Sequence, residues 1–227
     1  MLALKLGLSL VSNRKLGAWS PDDESSLEAW YQNKVGISLS GADVSEWADS
    51  SSNGIDMVQA TASEQPAYDT PTGTLTFVSA NDEHLQTSGQ IELSGDFTIG
   101  VIFNPSISAP GTLLGDNTTS NEFFKYTSTT NLRLKIDGSI GNLPLDSGTF
   151  GDDYIVITRV SDVLTLWKNG VAQPGTTPTL AGTALVDAIG IRRSDINAFD
   201  GTIKEIQIYS SSSADLTANV NDRLSTL

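Results

Sequence analysis

The chain has 227 residues, no cysteine and a formal net charge of −14. Without cysteine it can hold no disulfide, thiolate zinc site or cysteine nucleophile, and it is long enough to bury a core that needs no bridges. The acidity opposes nucleic-acid phosphate and anionic lipid, so neither a nucleic acid nor a membrane is expected as a partner.

Taken in chain order, the first signal is a leucine stripe at Leu2, Leu4, Leu6, Leu8 and Leu10, with Ala3, Lys5, Gly7 and Ser9 between. Period-two alternation is a strand pattern. A secretory leader would be a continuous apolar block behind a basic start, and here Lys5 lies inside the block. Residues 1–19 are therefore read as a strand or arm ahead of a domain spanning 20–227. The arm is either an ordinary strand of that domain or a segment that adds to a neighbour's sheet edge. Ser20 as cap, Pro21 in the first helical position and the acids Asp22, Asp23 and Glu24 predict a short helix. Leu27–Tyr31 follows as a buried strand or turn.

From Leu75 onward short strands alternate with turns. Phe97, Ile99, Val101 and Phe103 form one face opposite Thr98, Gly100 and Asn104; Leu132, Leu134 and Ile136 oppose Arg133 and Lys135. Tyr154–Val160 is rich in β-branched residues. Val163–Trp167 runs into Asn169-Gly170 and then Val171, the strongest short hairpin signal. Val186–Ile191 and Ile203–Tyr209 are two further strands. Asp215 is read as the cap of a closing helix in which Leu216, Val220 and Leu224 recur every four residues. No apolar run approaches the ~18 residues of a membrane helix. The pattern predicts an all-β, two-sheet antiparallel β-sandwich with short N-terminal and C-terminal helices.

Several segments resemble the laminin-G-like branch of the concanavalin A-like lectin and glucanase superfamily. Leu27-Glu28-Ala29-Trp30-Tyr31 is similar to its first strand. Val44 to Gly54 resembles its "W-x-D-x-S-G-N-G" loop, with Ser52 in place of the usual glycine. Leu75–Leu85 resembles "F-x-G-x-x-D-x-L", with His84 where an aromatic often sits, and Asp96–Asn104 is similar to the "FTI…F" strand. Ile155–Val171 and Ile189–Tyr209 carry the fullest likeness, with Trp167 in a tyrosine position and Lys204 where the family has an acid. Together these cover residues 27–224. The resemblance implies a jelly-roll sandwich. A leucine-rich leader ahead of such a domain is also similar to small laminin-G-like proteins of tailed phages, including cyanophages, which implies an extracellular or virion location.

Catalysis is poorly supplied. Glycoside hydrolysis needs two carboxylates roughly 5–10 Å apart. Similar families set them in a Glu-x-Asp-x-Glu run that this chain lacks. A lyase would want histidine on a sheet face, and the single histidine, His84, falls in a predicted turn. No serine stands in a Gly-x-Ser-x-Gly elbow.

Calcium is the ion the residues suit, since hard cations take carboxylate, amide and main-chain oxygens. Asp49 and Asn53 offer such ligands, and the resemblance implies that a structural calcium would bridge their loop to Glu205. Asp195, Asn197 and Asp200 form a second acidic cluster. For a glycan, the candidates are the rings of Trp47, Tyr126 and Tyr68 and the polar loop Leu114–Glu122, with Asp116 and Asn117. Trp30 and Trp167 sit within strand patterns and are read as core. The function expected is a non-catalytic recognition or structural domain, glycan-binding or part of a virion or other extracellular assembly, which self-associates or meets virion proteins through its arm. The alternative is a polysaccharide-degrading glucanase or lyase on the same fold.

Overall fold

The structure, a computed structural model, describes residues 19–106, 110–119, 122–146, 153–175, 177–192 and 197–227. The leucine stripe, and with it most of the predicted arm, lies outside these residues, as does Asp195. In chain order the strands are β1 (Leu27–Tyr31), β2 (Ile37–Ser40), β3 (Asp43–Trp47), β4 (Met57–Val58), β5 (Ala67–Asp69), β6 (Thr74–Phe77), β7 (Leu85–Leu93), β8 (Phe97–Pro105) and β9 (Gly111–Gly115). They continue with β10 (Glu122–Ser128), β11 (Asn131–Ile136), β12 (Ser139–Pro144), β13 (Asp153–Val160), β14 (Val163–Lys168), β15 (Val171–Ala172), β16 (Ala184–Ile189) and β17 (Gly201–Tyr209), before helix α1 (Ala214–Leu224).

The pairings between these strands are antiparallel and make one continuous network that folds into two layers. The front layer runs β15–β14–β13–β8–β17. The far side of β17 is shared: β6 pairs with Gly201–Ile203 and β1 with Ile206–Tyr209. The back layer runs β12–β11–β10–β9–β16–β7–β4–β3–β2. Strand β5 pairs with both β3 and β6 and so ties the back layer to the front one.

The alternation read in the sequence explains the layering. Phe97, Ile99, Val101 and Phe103 of β8 all enter the main core. There Phe103 meets Phe124 of β10 edge-on at 6.4 Å, and Phe97 meets Phe123 at 5.9 Å, so front and back layers interlock through aromatic pairs. Ile102 points the other way, into a second cluster with Leu27, Trp30, Val156, Tyr209, Leu216, Val220 and Leu224. That cluster is where α1 lies on the outer face of the front layer. Gly100 permits the close approach: a Cβ there would stand 2.6 Å from Val220 Cγ1 and 3.0 Å from Leu224 Cδ1.

The predicted N-terminal helix is a single 3₁₀ turn, Pro21–Asp23. The closing helix is longer than read and starts one residue before Asp215. Its cap is Ser213, whose hydroxyl accepts from the Leu216 amide at 3.0 Å, and Asp215 lies in the first turn, where its charge suits the dipole. The Asn169-Gly170 hairpin is present, with both residues at positive φ (50° and 76°), the conformation a two-residue turn of this hand requires.

Candidate functional site

A surface groove lies on the outer face of the front layer beside α1, at a break in strand register. Ile203 pairs with Phe103, but Glu205 pairs with Ile102, so β17 holds one residue more than β8 at this point. This is a β-bulge, and bulges re-aim side chains. Ile203, Ile206 and Ile208 enter the core. Lys204 and the adjacent Glu205 therefore both face outward, where strict alternation would have turned one of them in.

The two neighbours have different fates. Glu205 is fully buried. Its Oε1 accepts from Arg223 Nε at 2.7 Å, Gln207 Nε2 at 2.8 Å and Trp30 Nε1 at 3.0 Å; its Oε2 accepts from the Asn33 amide at 3.1 Å and Arg223 Nη2 at 3.2 Å. Arg223 also stands 4.8 Å over the Trp30 ring. Lys204 stays accessible. Its ammonium donates to an oxygen of Leu227, the last residue of the sequence, where that oxygen belongs to a carboxylate.

Two clefts, of about 370 and 350 Å³, meet at Ile102 and Lys204 and form one groove. The first is walled by hydrogen-bonding side chains from three strands: register sets Thr76 opposite Thr202 and Thr202 opposite Asn104. Thr74, Thr72 and Asp69 continue it, with the Thr72 hydroxyl donating to the Asp69 carboxylate and its oxygen 2.8 Å from Thr74 Oγ1, which can donate to it. The second cleft adds Tyr154, Asn169, Leu224 and Ser225. Asn169 is held by the Tyr154 amide at 3.1 Å and by Asp153 at 2.6 Å. Tyr154 packs partly against the α1 cluster. Burial, helped by the Asp222 charge, holds its phenol pKa above the usual value, so the hydroxyl stays neutral and both donates and accepts near pH 7.

The residues singled out in the sequence lie elsewhere. Trp47 is fully buried against Tyr31 at 5.7 Å, with its indole N–H donated to the Gln32 carbonyl. Tyr126 is equally buried in the core. Neither ring offers a face to a sugar, a correction to both expectations. Asp116 is also buried, and its Oδ1 accepts from the Thr119 and Thr118 amides and from Gln90. It folds its own loop back against Asp187, which accepts from the Asn117 amide at 2.6 Å. Asn117 is half-exposed and donates its side-chain amide to Gln86. Tyr68 packs at the margin of the core. Trp30 is buried as read, and Trp167 is half-buried against the α1 cluster.

The residues read as calcium ligands do other work. Among the described strands β1 pairs with β17 alone, and its other edge is met by the 49–53 loop. Asp49 Oδ1 accepts from the Trp30 amide at 2.8 Å, the Ser50 amide donates to the Trp30 carbonyl at 2.8 Å, and Asn53 donates to the Leu27 and Glu28 carbonyls. Asp49 further accepts from Ser51 and the Ile55 amide. This loop protects a sheet edge, while Glu205 is committed to Arg223. Asn197 accepts from Lys125, and Asp200 from Ser79. Among the described residues no group of three or more His, Asp or Glu side chains is placed to hold a metal ion.

No family model matches this sequence, and no curated protein matches it either. Solved structures do resemble it. Domain 4 of AbnA, a GH43 extracellular arabinanase from Geobacillus stearothermophilus described in complex with arabinotriose, superposes with a TM-score of 0.53 at 16% identity, over 88% of this chain and 98% of that one. Trypanosoma rangeli sialidase superposes with a TM-score of 0.52 at 13% identity over 89% of this chain, which spans only 33% of the sialidase. A pentraxin from Limulus polyphemus has a TM-score of 0.48 at 14% identity, over 63% of this chain and 74% of its own. At these identities the two superpositions with TM-scores above 0.5 show the fold alone, an antiparallel β-sandwich. Among the described residues no helix is long and apolar enough to cross a membrane.

Proposed function

We propose that this chain is a non-catalytic, glycan-binding β-sandwich that takes an oligosaccharide into the groove between β6, β8, β17 and α1. The observation that carries the reading is the row Thr76–Thr202–Asn104 leading past Lys204 to Tyr154. Hydroxyl and amide groups at strand spacing match the sugar hydroxyls of a chain, and a partly buried tyrosine supplies an apolar ring with a polar tip. The arabinotriose complex of a domain with the same fold supports the choice of ligand class. Asp69 is the one Asp or Glu side chain among the described residues lining either cleft, whereas hydrolysis uses a pair of them. A glycan array followed by titration of the best hit tests the reading. Tyr154→Ala should weaken binding about tenfold, a typical worth for one aromatic contact. A blank array, or unchanged affinity in a variant that melts like the parent, would overturn it; turnover in a reducing-sugar assay would shift the reading to the enzyme alternative.

The finer part of the proposal is location: outside the cell, on a virion or a similar assembly, with self-association through the N-terminal segment. Strand β2 is a supporting feature. It pairs only with β3 among the described strands and leaves Leu39 47% exposed, an open edge to which another strand can add. Deleting residues 1–16 should lower the mass measured by light scattering while circular dichroism stays the same. An unchanged mass in the truncated protein would remove the arm from the account.

A further inference from the structure

We infer that the groove takes a neutral, unbranched oligosaccharide in its extended form, laid across the strands with about one sugar unit to each. The inference rests on the glycan reading and adds the ligand's shape, length and charge to it.

The groove crosses the strands instead of following one. Thr76 of β6 stands opposite Thr202 of β17, and Thr202 opposite Asn104 of β8. Two residues back along β8, Ile102 stands opposite Tyr154 of β13, and the Asn169 amide donates to the Tyr154 carbonyl at 3.0 Å. These side chains all line the two clefts. The steps from β6 through β17 and β8 to β13, each about 4.8 Å, carry the row roughly 14 Å, and the turn at Asn169 extends it. A pyranose chain at full extension advances by nearly one strand spacing per unit, so the row spans about four units. A coiled glycan curves away from such a straight track.

The groups left for a ligand are neutral. Thr76, Thr202 and Asn104 are half-exposed, and among the described residues their side chains have no hydrogen-bond partner within the protein. Two hydroxyls and a carboxamide both donate and accept, as sugar hydroxyls do. The charged groups are engaged: Lys204 with the Leu227 oxygen, Asp69 with the amide and hydroxyl of Thr72. An acidic sugar would meet Asp69 in the first cleft and a chain of net charge −14 around it, both repelling. The two ends also differ. Hydroxyls and Asp69 wall the β6 end, whereas Ile102, Tyr154 and Leu224 offer the β13 end an apolar surface suited to a sugar's ring face.

The test uses the full chain and calorimetry. The extended probes are cello-, manno- and xylo-oligosaccharides, all β-1,4-linked, from the monosaccharide to the hexasaccharide. Malto-oligosaccharides of equal length are the coiled controls, and a β-1,4-glucuronan tetrasaccharide is the charged one. Affinity for at least one extended series should rise about fivefold per added unit, the net worth of one hydrogen bond, and level off after about the fourth. Maltotetraose and the glucuronan should each bind at least about tenfold more weakly than the best extended tetrasaccharide. Thr76→Trp, which fills the β6 end, should bring that tetrasaccharide down to the affinity of its disaccharide. Three results would overturn the extended, neutral ligand and leave the glycan reading standing: coiled or charged probes that bind as well, affinity that does not grow with length, or silence from all three extended series while a glycan array shows another sugar bound. A blank array as well would overturn the glycan reading beneath it. Unchanged length dependence in a folded Thr76→Trp, checked by its melting curve, would show that the chain does not lie across these strands.

Discussion

Glu205→Leu is expected to lower the unfolding free energy by about 3 kcal/mol, the low end for breaking a buried ion pair by removing one partner. The carboxylate is fully buried and accepts five hydrogen bonds from four residues. Leucine of similar bulk replaces its volume but none of its oxygens. Trp30 Nε1, the Asn33 amide and Gln207 then lose acceptors, and Arg223 is left beside an indole with no counter-charge. The side chain of Arg223 is 20% exposed, so water compensates it in part, which is why the low end applies. For a chain of this length the loss corresponds to a fall in Tm of about 6–12 °C. The effect should be local first: α1 is bound to the front layer by this pair and by the apolar cluster, so its amides should lose hydrogen-exchange protection before those of β8. A double replacement, Glu205→Leu with Arg223→Met, should recover much of the loss, since two apolar groups leave fewer unmet charges. A single variant that melts within a degree or two of the parent would show that the pair contributes little and that apolar packing alone seats the helix.

The same strand shows what is legible in a sequence and what is not. Alternation in Phe97–Phe103 places the core side of β8 without ambiguity, because each residue of one face is apolar and both layers bury that face. In β17 the isoleucines at 203, 206 and 208 are spaced three and then two apart. That uneven spacing is the trace of the bulge, and it was there to be read. Its consequence, two charged neighbours on one face, depends on which strand lies opposite. The groove is harder still. Thr76, Asn104 and Thr202 come from distant parts of the chain and meet only because of register between β6, β17 and β8.

Trp47 and Tyr126 misled for a related reason. Both follow or precede polar loops, so composition alone sets them at a rim, but their strands carry them under Tyr31 and opposite Leu132 respectively. Asp49 and Asn53 look like ligands because oxygen-rich turns and calcium loops share their residues. Only the pairing shows that β1 has an open edge, and that the loop is there to meet its amides and carbonyls.

Arg159→Met is expected to be the costliest single change, about 4 kcal/mol out of a total stability on the order of 5–15 kcal/mol. The side chain has no exposed surface. Its Nε donates to the Gly95 carbonyl at 2.7 Å, Nη1 to Gly182 at 2.8 Å and Leu180 at 3.4 Å, and Nη2 to Leu93 at 2.8 Å and again to Gly95. The guanidinium lies 4.8 Å over the Phe97 ring. It thus ties the turn between β7 and β8, in which the chain passes from back layer to front, to the segment entering β16. Burial lowers its pKa, with Asp162 and Asp96 opposing the shift, so the group remains a cation at neutral pH. Methionine fills the space but takes these donors from four main-chain carbonyls: those of Leu93 and Leu180 are buried and each costs on the order of 1 kcal/mol or more, while those of Gly95 and Gly182 lie nearer solvent. Lysine keeps the charge without the planar fork, and one ammonium cannot reach carbonyls on both sides. Arg159→Lys should therefore lose at least half as much as Arg159→Met in a urea titration, with an unchanged slope. Were lysine to restore the parent midpoint, charge and not geometry would be what this end of the sandwich requires. Full loss with lysine would show that the four carbonyls are held only by the fork.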